Sequence, residues 1–282
     1  MHKWLLMLLL LLLLLSSLLL PTGAHADDAE PLHIGDTFTL ASPTLRETRR
    51  INVYRPRAWG LADDAALPVL YMPDGGLGED FLHIAGLLQV SVGNGTMRPM
   101  LLVGIENTER RRDLTGPTES PEDRKIAPRV GGSAAFRTFL RDELIPEISR
   151  RYRTTDERAI VGESLAGLFV VETLLSEPNL FDTYIAFDPS LWWNDASLLK
   201  GTVERISALN TTPRQLYLAT SSETKLAELV ARLAEMLSEH APPALRWQHR
   251  RMPEEQHATI YHPAALAAFR ALFAPAPGSA SQ

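Results

Sequence analysis

The segment Ala159-Ile-Val-Gly-Glu-Ser-Leu-Ala-Gly-Leu-Phe-Val170 restricts what this chain can become more than any other stretch. An apolar run ending at Val161 reads as a buried strand, and the apolar residues from Leu165 to Leu175 read as a helix. Gly162-Glu-Ser-Leu-Ala-Gly167 must turn between them within a few residues. So tight a turn forces Ser164 into a strained backbone conformation and lifts its hydroxyl off the end of a sheet, the geometry of a nucleophile elbow. Strand and helix backbones nearly touch there, which is why Gly162, Ala166 and Gly167 are small. Such a string also arises by chance in many chains, so its meaning depends on partners elsewhere.

The chain opens on Met1-His-Lys-Trp, runs through leucines to Leu20 and reaches Pro21-Thr-Gly-Ala-His-Ala26 before turning acidic at Asp27. A basic start, an apolar stretch and small residues at Ala24 and Ala26 predict a cleaved export signal over 1–26, with an uncleaved anchor as the alternative. The remainder is then expected to be periplasmic or secreted, with no stable membrane insertion after cleavage. Cysteine is absent, which excludes disulfides, a thiol nucleophile and a cysteine-linked lipid anchor. A packed core must hold the fold instead, and at 45% hydrophobic the chain can fill one. One α/β domain is predicted over 27–273, followed by a disordered Pro/Ala/Ser tail at 274–282. The net charge of −6 gives no reason to expect a nucleic-acid partner.

Residues 33–40 and 47–54 alternate apolar with polar, as half-exposed strands do, and suggest an antiparallel entry to a sheet. From Pro68 the pattern changes to continuous apolar runs at 68–72, 100–105, 183–187 and 215–220, which read as buried strands, and 245–252 is the last candidate. Helical spacing separates them at 81–88, 198–209, 226–237 and 264–273. A further helix starts at Ser133, with apolar residues every four positions to Tyr152; Pro146 is expected to kink or interrupt it. Between Leu114 and Gly132, proline, glycine and charge are concentrated without any period, so a long loop is expected there as a wall or lid. Strands alternating with helices predict a mostly parallel sheet covered on both faces, with function at the carboxyl ends of the strands.

A serine hydroxyl needs a base to take its proton, usually a histidine held by a carboxylate. Of the eight histidines, His257 follows the last strand and precedes the last helix, where this architecture places its base. His83, on the first helix, is expected to serve packing or a pocket wall. Glu223 and Asp188 both stand just beyond strand ends and can orient the imidazole; Glu223 is preferred because its strand comes later, with Asp195 third. Two backbone N–H groups must meet the oxyanion, one from Leu165 and one from the loop containing Gly75 and Gly76. Arg110 and Arg112 are candidates for binding an anionic substrate, against the alternative of a solvated, internally paired loop. Trp192 and Trp193 divide between a pocket wall for aromatic groups and plain packing.

Tyr71-Met-Pro-Asp-Gly, Val103-Gly-Ile-Glu-Asn-Thr-Glu-Arg-Arg-Arg-Asp-Leu, Phe139-Leu-Arg-Asp-Glu-Leu-Ile-Pro, Gly162-Glu-Ser-Leu-Ala-Gly-Leu-Phe and Pro189-Ser-Leu-Trp-Trp together resemble the esterase D-like family of α/β-hydrolases. The resemblance covers roughly residues 35–273 and is closest in character to periplasmic esterases that cut ferric enterobactin and salmochelins. It implies an α/β-hydrolase fold, Ser164 as nucleophile, His257 as base, and hydrolysis of a small-molecule carboxylic ester through an acyl-enzyme, with no metal or organic cofactor. Acyl transfer on the same fold and acyl-carbohydrate esters remain alternatives. Glu163 stands where many relatives carry histidine, and Glu-Glu-Gln-His257 replaces the commoner Asn-His followed by Gly. Some members manage with serine and histidine alone.

Overall fold

The computed structural model describes residues 30–58, 60–126, 129–209 and 212–275. The expected signal at 1–26 lies outside them, as do residues 276–282 of the expected tail. The chain divides into two units between Ile34 and Gly35. The second carries all the regular structure described below. Among the described residues, no helix is long and apolar enough to cross a membrane.

Eight strands form a single sheet in the order β1-β2-β4-β3-β5-β6-β7-β8. β1 (Asp36–Ser42) and β2 (Glu47–Tyr54) pair antiparallel, and β2 meets β4 (Leu101–Ile105) antiparallel too. From there β3 (Leu67–Pro73), β5 (Thr154–Glu163), β6 (Thr183–Phe187), β7 (Arg214–Thr220) and β8 (Leu245–Arg251) all run parallel. The mostly parallel α/β sheet expected from the alternation of patterns is therefore the one found. Burial explains the contrast between strands: β3, β4 and β6 are buried at every position, whereas β1 alternates at the edge. β5 begins earlier than its apolar run because its polar residues Thr154 to Arg158 still pair with β3 across a bulge.

Helices cover both faces. On one, α1 (Phe81–Gly93) and the last helix pack Phe81, Ile84, Leu88 and Phe269 against Leu70, Met72 and Ile185. On the other lie α2 (Ser133–Phe139), α3 (Ile145–Arg151), α4 (Leu165–Ser176), α5 (Thr202–Ser207) and α6 (Thr224–His240). Their core includes Phe136, Phe139, Phe169, Val230 and Leu233 on Val69, Tyr71 and Ile160. The last helix is α7 (Tyr261–Leu272). Pro146 does not break the helix that begins at Ser133. A π-helical stretch, Leu140–Leu144, joins α2 to α3 and leaves Pro146 in the first turn of α3, where its missing N–H costs little.

The loop after β4 is less open than expected. It contains two short helices, Arg110–Asp113 and Pro121–Ile126. It is strapped to the segment after β6, where Trp193 Nε1 donates to Gly116 O at 2.8 Å, Glu119 N to Asn194 Oδ1 at 2.9 Å, and Asn194 N to Asp123 Oδ2 at 2.7 Å. These bonds fix the loop as a brace behind Trp192.

Candidate active site

Ser164 sits between β5 and α4 with φ 59° and ψ −117°, a region that costs a residue with a side chain of order 1–3 kcal/mol. The surroundings impose it. A methyl placed on Gly162 would come within 2.6 Å of the Ala166 backbone, and one on Gly167 within 3.0 Å of Phe187 O. Ser164 N–H donates to Phe187 O at 3.0 Å, while its carbonyl accepts from Leu168 N at 2.9 Å and Ser190 N at 3.0 Å. The serine backbone is thus clamped to the end of β6, with its hydroxyl partly exposed.

His257 arrives from the turn between β8 and α7. Ser222, just after β7, ties that turn down: its N–H and its hydroxyl both donate to Glu255 O, at 2.9 and 2.8 Å. The ring then lies with Nε2 3.1 Å from Ser164 Oγ and Nδ1 3.0 Å from Asp188 Oδ2. With a proton on Nδ1, the ring donates to Asp188 and leaves Nε2 free to accept from the serine.

Asp188 follows β6 in a left-handed turn, φ 40°, and is fully buried. Its Oδ1 accepts from Ser221 N at 2.8 Å and its Oδ2 from Ser221 Oγ at 2.5 Å, so two donors besides the imidazole hold the carboxylate in place. The hydrogen bond to Asp188 is the main reason that the His257 pKa is raised; burial opposes it, and Glu163, Asp188 and Glu223 add to it through their charge.

Several residues singled out in the sequence occupy other places. Glu223 was the preferred acid, but among the described residues it makes no hydrogen bond or ion pair with His257. It forms the N-terminal boundary of α6, its N–H donating to Ser221 Oγ at 3.1 Å and its carbonyl accepting from Ala227. The carboxylate at Nδ1 belongs to Asp188 because β6 lies directly beside β5, and its end is therefore next to the elbow.

Gly75 and Gly76 do not offer free amides. Gly75 N–H donates to Ile105 O at 3.0 Å and Gly76 N–H to Glu79 Oε2 at 2.7 Å. Close packing explains the first glycine, since a methyl on Gly75 would meet the Gly104 backbone at 2.3 Å. Leu165 differs: as the first residue of α4, its N–H has no intrahelical acceptor.

The arginine run is consumed internally. Arg110 forks onto Asp74, Nε to Oδ1 at 2.6 Å and Nη2 to Oδ2 at 2.8 Å. Arg111 donates to Ile126 O, and Arg112 is held by Glu47, Glu109 and Asp113. The internally paired alternative therefore describes Arg112. Trp193 is buried and braces the loop at Gly116, while Trp192 is half-buried and lines the cleft.

That cleft, about 400 Å³, is lined by Ser164, Ser190, Trp192, Glu223, Lys225, Leu226 and His257. Lys225 Nζ lies 5.8 Å from the centre of the Trp192 ring. A second hollow of similar size, about 390 Å³, opens at the opposite ends of the strands beside Arg141 and Arg158 and is remote from the serine. His83 packs edge-on against Tyr261 and bonds Asp80, away from the cleft lining. Among the described residues, no group of three or more His, Asp or Glu side chains is arranged to hold a metal ion.

A strained serine, an imidazole within hydrogen-bond reach and a buried carboxylate behind it form an arrangement able to activate a hydroxyl. Comparison with known proteins places the chain among esterases. The ferri-bacillibactin esterase BesA of Bacillus subtilis is 33% identical over 210 residues, 65% of this chain and 71% of the relative. The crystal structure of an IroE-like serine hydrolase from Shewanella oneidensis superimposes with a TM-score of 0.77 at 29% identity, covering 85% of this chain and 80% of that one. The BES protein from Bacillus cereus gives 0.75 at 23% identity, with 86% and 97% covered, a likeness of fold. The family model described as "Putative esterase" matches residues 42–275. The chain therefore belongs to the putative esterase family and has the α/β-hydrolase fold.

Proposed function

We propose that this protein is an exported serine esterase that cleaves carboxylic esters through an acyl-enzyme, with siderophore esters as its substrate class. The observation that carries the proposal is the unbroken chain from Asp188 Oδ2 to His257 Nδ1 at 3.0 Å and from His257 Nε2 to Ser164 Oγ at 3.1 Å. Neutral His257 takes the serine proton as Oγ attacks the ester carbonyl. Charge then develops on the carbonyl oxygen, where the Leu165 N–H, which has no intrahelical acceptor, and the N-terminal end of α4 favour it. The imidazolium returns the proton to the leaving alkoxide oxygen, and the bond between carbonyl carbon and alcohol breaks. Water repeats the sequence on the acyl-serine and releases the acid. Asp188 stays ionised throughout and keeps Nδ1–H in place.

Hydrolysis is favoured over acyl transfer because the His257 side chain is 40% exposed, so water has access to the base during the second step. The substrate class rests on the relatives named as siderophore esterases and on the cleft, where Trp192 offers an aromatic wall and Lys225 a cation at its edge. Export rests on the leader expected at 1–26. The test is direct: the purified protein should release p-nitrophenol from short acyl esters, be labelled by a fluorophosphonate, and cut an iron-loaded trilactone siderophore into linear fragments. Absence of labelling and turnover would reject the esterase; turnover of simple esters with an intact trilactone would reject only the siderophore.

A further inference from the structure

Two carboxylates, not one, converge on His257 Nδ1. Asp188 takes the hydrogen bond, but Glu163 Oε1 lies 3.2 Å from the same nitrogen. Oε1 is buried and accepts no hydrogen bond from any described group. The Glu163 backbone is fixed, because it is the last residue of β5, paired with Phe187 and followed directly by the clamped Ser164, and its side chain is only 17% exposed.

The groups around it come from every neighbouring element. His257 faces it from the turn before α7, Asp188 from the end of β6, Asp74 from the end of β3, and Arg110 from the helical turn after β4. Tyr261, at the start of α7, brings a buried hydroxyl that also lacks a partner, with Asp80 and His83 behind it. Arg110 is already forked onto Asp74. Three carboxylates therefore share one guanidinium, and the cluster is relieved whenever the imidazole becomes a cation.

We propose that Glu163 is a second counter-ion for the His257 imidazolium, a positioning residue whose own protonation sets how strong a base His257 is. Ionised Glu163 stabilises the positive charge that forms as the serine is deprotonated; protonated Glu163 withdraws that help. The inference rests on the Ser164–His257–Asp188 reading above and deepens it. Burial, with Asp188 and Asp74 adding like charge, pushes the Glu163 carboxyl up to about 7 against the opposing pull of His257 and Arg110. Glu163 and His257 lie 3.2 Å apart, so the charge on either one changes the proton affinity of the other.

The test compares the whole protein with Glu163→Gln, which keeps the shape and removes the charge. For p-nitrophenyl acetate, the ratio of wild-type to variant kcat/KM should be about tenfold above roughly pH 8 and should shrink toward unity below roughly pH 6, where Glu163 of the wild type is protonated and, like the glutamine, carries no charge. A ratio that does not change with pH would mean a purely structural role and overturn the proposal. Independently, the His257 pKa read by NMR should fall by about one unit in Glu163→Gln and recover in part in Glu163→Asp. An unmoved pKa would overturn it too. The titration needs no turnover, so a protein that cuts no ester would sink the esterase proposal while the shift still decides the role of Glu163.

Discussion

Two buried charge clusters stand at the carboxyl ends of this sheet and are built on opposite plans. In the first, Arg49, Arg112 and Arg129 meet Glu47, Glu109 and Asp113, with Arg49 wholly buried. Cations and carboxylates balance there. Burial alone would raise the Glu47 pKa, yet hydrogen bonds from Arg112 and Thr108 and the charges of Arg49 and Arg112 hold it below the usual carboxylate range. In the second, Glu163, Asp188 and Asp74 outnumber Arg110, and the remaining counter-charge is the imidazolium of His257, whose pKa the hydrogen bond to Asp188 raises above its ordinary value. A balanced cluster fixes geometry. An acid-rich one stays titratable, and it surrounds the only strained serine among the described residues.

The sharpest break of this contrast is Ser164→Ala, which should lower kcat/KM by at least about 10⁴-fold and abolish fluorophosphonate labelling while the melting curve stays intact. Next comes Asp188→Asn. Ser221 presents its N–H to one Asp188 oxygen and its hydroxyl to the other, so an amide there forces rearrangement and loses the tautomer that His257 needs. A loss near 10⁴-fold is the usual consequence; with Glu163 beside Nδ1, a loss nearer about 10³-fold is expected, and combining it with Glu163→Gln should deepen the defect.

Breaking the balanced cluster should look different. Asp113→Asn leaves Arg49 short of a buried partner and should cost about 3 kcal/mol of stability, seen as a lower melting temperature with kcat/KM of the folded protein unchanged. Loss of activity without loss of stability would refute the division of labour between the clusters.

Glu163→Gln should separate activity from stability in the other direction. A carboxyl whose folded pKa is about 7 against a model value of 4.5 binds more protons folded than unfolded across that interval. Stability from this group is therefore lost as pH rises from about 4.5 to about 7. The variant should melt a few degrees above wild type at about pH 8, with no gain at about pH 4.5, in scans by differential calorimetry. The smallest expected effect is Glu223→Gln, less than about threefold in kcat/KM, because that side chain reaches His257 only through its charge.

Much of the architecture was legible because local chemistry leaves few choices. Continuous apolar runs marked β3, β4 and β6, and amphipathic spacing marked α6 and α7. β5 was read too short because its polar half has no apolar signature, although it pairs with β3 all the same. Ser164 and His257 stood out from strand-turn-helix order alone, and they lie 3.1 Å apart. The carboxylate at Nδ1 was not legible as a single choice. Glu223 and Asp188 are both acids just past strand ends, and only the lateral order of β5, β6 and β7, with the left-handed turn at Asp188, selects between them. The role of Gly75 and Gly76 was obscured in the same way: glycine predicts close approach correctly, but the acceptor of each N–H is chosen by Ile105 and Glu79 from other parts of the chain.

What the sequence determined by itself was whatever depends on neighbours a few residues away. That covers the small residues that allow the bend at Ser164, the periods that separate strand from helix, and the absence of cysteine. The tertiary structure alone decided which charges face each other, drawing the arginine run inward onto Asp74, Glu47 and Asp113 and setting Asp188 and Glu163 against one ring nitrogen. Electrostatic partnership falls off over a few ångströms of space, so it follows strand order and register, and those arise only when segments 69 and 93 residues apart come together.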